Sequence, residues 1–339
     1  MRVALLSGLE QESLVLILIH YEIQCRHLWV NWLAFEETVT LTPVAPFDFD
    51  LTCELFGRGD RQVGGYCEGV FCVLLRVEGG LVLACVVSEG TVGRPKLVVE
   101  LRSSRPISSH GVLVSREVLS YVFNLNFSLA GFYGQLEGDA VMQRIVHQLY
   151  GLMYPATSTV FEALVDSIVE QQISIKVAHA VEERLCRCFG DKLEVDGQVF
   201  SAYPSPRNLV DAGVEGLRGC GLSQRKAEYI YGIAELIVLG KLVLEDLKLQ
   251  LDSDVVVAQL DALKGVGVWT AELTMLRGMQ RLDVLPADDF GIRRVISSFY
   301  CGGRSIQAVE ARRIAKRWGR WRGLAAFYLI AAEVRGLVV

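Results

Sequence analysis

No run of apolar residues in this chain approaches the ~18 that a membrane-spanning helix needs. The longest, Leu324–Ala332 and Leu81–Val87, fall far short of it. The N-terminal run Leu14–Ile19 is brief and flanked by Glu10, Glu12, His20 and Glu22, so it makes a poor signal peptide. We therefore expect a cytoplasmic protein with no membrane partner. Internal repeats and low-complexity segments are also missing, and so is any strong charge imbalance, the formal net charge being −5. With 51% hydrophobic and 22% charged residues the composition excludes a disordered chain. At 339 residues there is room for two domains with buried cores.

The nine cysteines contain no CxxC pair. Several, such as Cys72 and Cys85, sit in apolar runs where a thiol behaves as a small hydrophobe. The one CxC, Cys186 and Cys188, puts its thiols on different faces of a helix and lacks a second pair or a nearby His. We expect reduced core thiols, no metal and no cofactor.

What the chain does have is contrast between its halves. Residues 1–38 form an extension of no evident class. Across 39–154, short apolar runs alternate with turns. Phe47–Phe56, Gly69–Val77, Leu81–Val87 and Lys96–Arg102 are predicted strands, with Glu78-Gly79-Gly80 as a hairpin turn. Ser115 and Asp139 are predicted helix caps. From 155 to 339 the period becomes helical. Helices are predicted over Phe161–Ser174, Ile175–Phe189, Ser223–Leu239, Asp254–Leu263, Val268–Arg277, Gly291–Tyr300, Gln307–Trp318 and Leu324–Val334. The fold class is α+β: an antiparallel sheet domain followed by an all-helical one. Arg293–Arg322 carries nine basic residues against one acid, Glu310, which suits either a polyanion contact or a solvated helical face.

The sharpest local signal lies between two of those helices. Gly265 and Gly267 make a tight connection with no Cβ in the way, and the following helix begins Val268-Trp269-Thr270. Its first N–H groups suit a phosphate oxygen. About twenty residues on comes Pro286-Ala287-Asp288-Asp289.

With these motifs the sequence resembles the helix-hairpin-helix DNA glycosylases, most closely the alkylbase branch, DNA-3-methyladenine glycosylase II. The resemblance runs in order through Phe161–Ser174, Leu217–Ala227, Leu263–Ala271, Leu285–Arg294 and Trp318–Leu329. Residues 39–150 are similar to the family's N-terminal sheet domain of TATA-binding-protein-like shape. The resemblance implies a monomer acting on damaged double-stranded DNA. It implies excision of alkylated bases, with two alternatives: another lesion (uracil, hypoxanthine or an oxidised purine) on the same scaffold, or a DNA-binding protein that cleaves nothing.

Cleaving an N-glycosidic bond leaves positive charge on the sugar, which a fixed carboxylate stabilises. By resemblance that carboxylate is Asp289, though an Asp before Phe290-Gly291-Ile292 is also a natural helix cap. Asp288 could take the cap and leave Asp289 to the pocket. The target base must be flipped and its gap filled; Gln171 and Gln172 resemble the insertion position, with Gln172 the better wedge. Gly265, Gly267, Val268 and Thr270 would touch DNA with them. An alkylated, electron-poor purine stacks on aromatic faces, for which Trp269, Phe161 and Tyr328 are the candidates; Trp318 and Trp321 read as core. Leu273 and Ile330 stand where some relatives carry aromatics. Bifunctional members place a lysine where this chain has Trp269, and the iron–sulfur branch has four cysteines after the aspartate, where this chain has only Cys301. The resemblance thus implies a monofunctional, cluster-free enzyme.

Overall fold

The computed structural model describes residues 35–56 and 60–337. The run Leu14–Ile19, with Trp29 and Trp32, lies outside the described residues. Strand β1 spans Phe35–Leu41, so sheet begins before residue 39. With β2 (Gly65–Cys67), β3 (Val70–Val77), β4 (Gly80–Ser88) and β5 (Leu97–Ser103) it forms a five-stranded antiparallel sheet in the order β1-β5-β4-β3-β2. The predicted hairpin turn is there, with Glu78 and Gly79 both at positive φ, the conformation a two-residue turn between twisted strands requires.

Both faces of this sheet are covered, which explains why its strands read as continuous apolar runs. On one face Phe71, Leu75 and Val77 pack with Leu119 and Val122 of α2 (Ser109–Val122); helix α1 (Phe49–Phe56) adds Leu51 and Cys53. On the other face Cys72, Leu74 and Leu83 meet Leu193, Val195 and Phe200. Those last three belong to β6 (Lys192–Val195) and β7 (Gln198–Ser201), a hairpin set inside the helical half. The second domain is therefore not purely helical. Its signal was Asp196-Gly197 between alternating residues, both at positive φ as such a turn needs.

Three other expectations change. Phe47–Phe56 alternates like a strand, yet Asp48 accepts a hydrogen bond from Leu51 N at 2.9 Å and starts α1 there instead. Ser108, not Ser115, caps α2; Ser115 lies inside it and donates to Gly111 O at 2.8 Å. Cys72 and Cys85, expected as free thiols, are directly opposite in the β3–β4 register and form a disulfide. Only the register brings them together.

After α3 (Ala130–Gln135) and α4 (Ala140–Gln148, capped by Asp139 as predicted) come α5 (Val160–Glu170), α6 (Ile175–Phe189), α7 (Pro206–Gly219) and α8 (Gln224–Val238). Then follow α9 (Ser253–Asp261), α10 (Val268–Met279), α11 (Phe290–Tyr300), α12 (Ala308–Ala315) and α13 (Arg322–Val334). Helix α5 is buried almost all round and runs against α10. Their contact is close because Gly278 lies against Ala163 and Val160, where a Cβ would come within 2.8 Å. No helix of the described residues is long and apolar enough to cross a membrane.

Candidate active site

The hairpin is α9, a short loop and α10. Gly265 has φ +89, and a Cβ there would stand 2.1 Å from the Tyr229 ring. It must be glycine for both reasons. Gly267, by contrast, has ordinary backbone and open space where a Cβ would go. It precedes α10, whose first turn has no side-chain cap; Gly267 and Val268 are exposed. Uncapped N–H groups at the positive end of a helix dipole are suited to an anion.

Across from the hairpin, Asp289 is half-buried at the start of α11. Its two oxygens are divided. Oδ1 accepts from Ile292 N at 2.9 Å, which caps the helix, while Oδ2 accepts from Trp269 Nε1 at 3.2 Å. Asp289 therefore takes the cap itself. Asp288 is exposed, its nearest cation being Arg312 at 3.8 Å. Trp269 uses its ring edge for the carboxylate and is half-buried. Leu273, one turn on along the same face of α10, is half-buried as well.

The loop carrying Asp289 is held by Arg312, a residue that no sequence motif marks. Its guanidinium donates to both carboxylate oxygens of Glu272 (2.8 and 3.0 Å) and to Leu285 O (2.9 Å). Burial pushes the Glu272 carboxyl up, against the pull of Arg312. Helices α12 and α10 and the Asp289 loop are thereby joined at one point.

Other predicted residues are placed differently from their expected roles. Thr270 is only 2% exposed, and its hydroxyl accepts from Gln171 Nε2 at 3.0 Å. The same Gln171 nitrogen donates to Gly265 O at 3.0 Å. The Gln171 side chain, half-buried, and the buried Thr270 hydroxyl thus brace the hairpin. Gln172 stands exposed at φ +58. Phe161 and Tyr328 are core: Tyr328 has no exposure, donates to Leu152 O at 2.6 Å and packs on Phe132. Neither can form a wall for a base without opening the interior. Trp318 is core as expected, its indole donating to Asp139.

The basic stretch is largely paired within the protein. Arg294 meets Glu333, Arg304 and Arg313 share Glu310, and Arg317 lies 3.9 Å from Asp139. Arg294, Arg304 and Arg313 nonetheless keep more than half of their side-chain surface exposed. Arg293 differs: it sits in the first turn of α11 and donates to Asp289 O at 3.4 Å. A cavity of about 410 Å³ lined by Tyr300, Arg304 and Arg317 is at the far end of α11 from Asp289, roughly 16 Å away along the helix. Among the described residues no cluster of His, Cys, Asp or Glu could hold a metal.

Residues 165–320 match the HhH-GPD superfamily of base excision DNA repair proteins. That span contains the hairpin, Trp269 and Asp289, and the chain belongs to this superfamily of helix-hairpin-helix DNA glycosylases. Within it, a DNA-3-methyladenine glycosylase of Bacillus subtilis (strain 168) is 26% identical over 72% of this chain and 80% of its own length. The solved 3-methyladenine DNA-glycosylase from Archaeoglobus fulgidus is 29% identical and superimposes with a TM-score of 0.78, covering 89% of this chain and all of that one. The Clostridium acetobutylicum 8-oxoguanine glycosylase/lyase solved with double-stranded DNA shares the fold, at 20% identity and a TM-score of 0.70, over 90% of this chain and 99% of its own.

Proposed function

We propose that this chain is a monofunctional DNA glycosylase that excises alkylated bases of the 3-methyladenine type from duplex DNA. The observation that carries the reading is the Asp289–Trp269 contact. It sets a fixed carboxylate beside a half-buried indole in the first turn of α10, the helix whose uncapped terminus suits a phosphate. The relatives named for 3-methyladenine supply the lesion class.

In this mechanism the hairpin N–H groups at Gly267–Val268 hold the backbone near the lesion, and Gln172 fills the gap left by the flipped nucleotide. Trp269 stacks on the base, whose positive charge favours a π face. As the C1′–N bond breaks, its electrons leave with the base, and Asp289 stabilises the sugar cation and orients the attacking water. Two hydrogen bonds already restrain that carboxylate, so little reorganisation is needed in the transition state. At position 269 an indole stands where an amine would be needed, and an indole nitrogen forms no Schiff base. Lys264 is five residues earlier, exposed, and 6.0 Å from the Tyr229 ring centroid. The protein would act as a monomer in the cytoplasm, on the genome.

The test is base release from a panel of single-lesion duplexes. Alkylated purines should be released in preference to uracil, hypoxanthine or 8-oxoguanine. Asp289→Asn should abolish release yet bind the same duplex nearly as well, because the charge acts mainly at the transition state. Activity surviving in that variant, or binding and turnover lost together, would remove Asp289 from this role.

A further inference from the structure

The three residues before Gln172 are tied between them to α8, α10 and the hairpin loop. Val169 O and Gln171 O accept from Lys226 Nζ of α8 at 2.8 and 2.6 Å. Glu170 pairs with Arg277 of α10 at 2.5 Å. The Gln171 side chain bonds to the hairpin loop. Gln172 then follows, exposed and in the left-handed region, a conformation that a non-glycine residue keeps only where its surroundings impose it. The last carbonyls of a helix have no partner within it and lie at the negative end of its dipole. A half-buried ammonium donating two bonds there is an effective clamp.

We propose that Lys226 is a positioning residue for DNA insertion: it clamps the C-terminal end of α5 so that Gln172 projects from a rigid base into the duplex. The inference rests on Gln172 being the inserted residue. A side chain entering a base stack works against stacking and pairing. On a yielding loop the duplex would push it aside, whereas a pre-ordered one loses little freedom on insertion.

Single-turnover release of 7-methylguanine by the full chain tests this, with the lesion either paired to cytosine or in a one-nucleotide bulge that leaves no partner base behind. Lys226→Met should slow release from the paired lesion about tenfold and from the bulge less than about threefold, and Lys226→Arg should restore the paired rate. Gln172→Gly serves as the reference. If it leaves the paired rate unchanged, the insertion reading fails and the role of Lys226 falls with it. If Gln172→Gly shows the selective loss and Lys226→Met does not, the role of Lys226 alone is overturned. Equal losses on both substrates, or a loss that changes with the opposite base, would also overturn it, as general destabilisation or direct base contact. Should Lys226→Met not fold, Lys226→Gln, which keeps a donor, is read on the same two substrates.

Discussion

Gly265 and Gly267 are one residue apart and are glycine for different reasons. At Gly265 the reason is internal, since a methyl group would overlap the Tyr229 ring on a backbone already at φ +89. Gly265→Ala should lower the melting temperature and weaken binding together. At Gly267 the protein itself leaves room. Gly267→Val should cost at most about 1 kcal/mol of stability, the scale of a helix-cap change, while weakening binding to damaged and undamaged duplex alike, because phosphate contacts carry little sequence information. Thermal melting beside a binding titration on both duplexes separates the two. Loss confined to lesion-containing DNA would mean that Gly267 lines the base pocket. The same division of labour occurs within Asp289, where one oxygen holds the helix and the other faces the indole.

Among the elements, the joint between α10, α12 and the Asp289 loop centres on Arg312, whose close ion pair is with Glu272. Glu272 is nearly buried, its side chain 8% exposed, and Arg312 is its cation. Removing one partner of such a pair is worse than removing both, because the remaining charge is left without compensation. Arg312→Met should therefore destabilise the protein by about 3 kcal/mol, the low end for a buried pair because Arg312 is partly exposed. The double variant Arg312→Met with Glu272→Met should recover most of that stability. Chemical denaturation of the three proteins checks it; a double variant no more stable than Arg312→Met would show that Leu285 O, not Glu272, is the partner that matters. Base release should stay reduced even in the double variant, since the loop before Asp289 has lost its donor.

For the whole molecule, the two halves share one continuous core, and the β6–β7 hairpin adds a second contact on the opposite face of the sheet. It closes the outer face of the sheet with Leu193, Val195 and Phe200, and ion pairs at its margin add Arg76–Asp191 and Arg102–Asp196. Those pairs are largely exposed and worth little each. The apolar contact contributes more, and Phe200→Ala should cost about 3 kcal/mol or more in a single melting transition that includes both halves. Two separate transitions would show that the halves fold independently. The reaction product is likewise a property of the assembled molecule. Incubating alkylated duplex with protein and borohydride should trap no covalent adduct, and the strand should break only after alkali or heat. A trapped adduct would mean that another amine carries out lyase chemistry.

Much of this was legible along the chain. The Asp139 cap, the Glu78-Gly79 turn and the turn at Gly265 are set by neighbours within a turn or two, where residue type acts directly on backbone geometry; Asp289 and Trp269 were marked by the resemblance of their motifs. Tertiary structure decided which side chains reach the surface. Gln171 and Gln172 are adjacent and identical in chemistry, yet Gln171 is consumed by the hairpin 94 residues away while Gln172 is left exposed. Phe161 and Tyr328 became core, Thr270 an internal acceptor, and Cys72 the partner of Cys85. The alternation in Phe47–Phe56 lost to a single cap at Asp48. In each case the residue's own preference was satisfied by more than one environment, and packing against distant elements selected which of them it has.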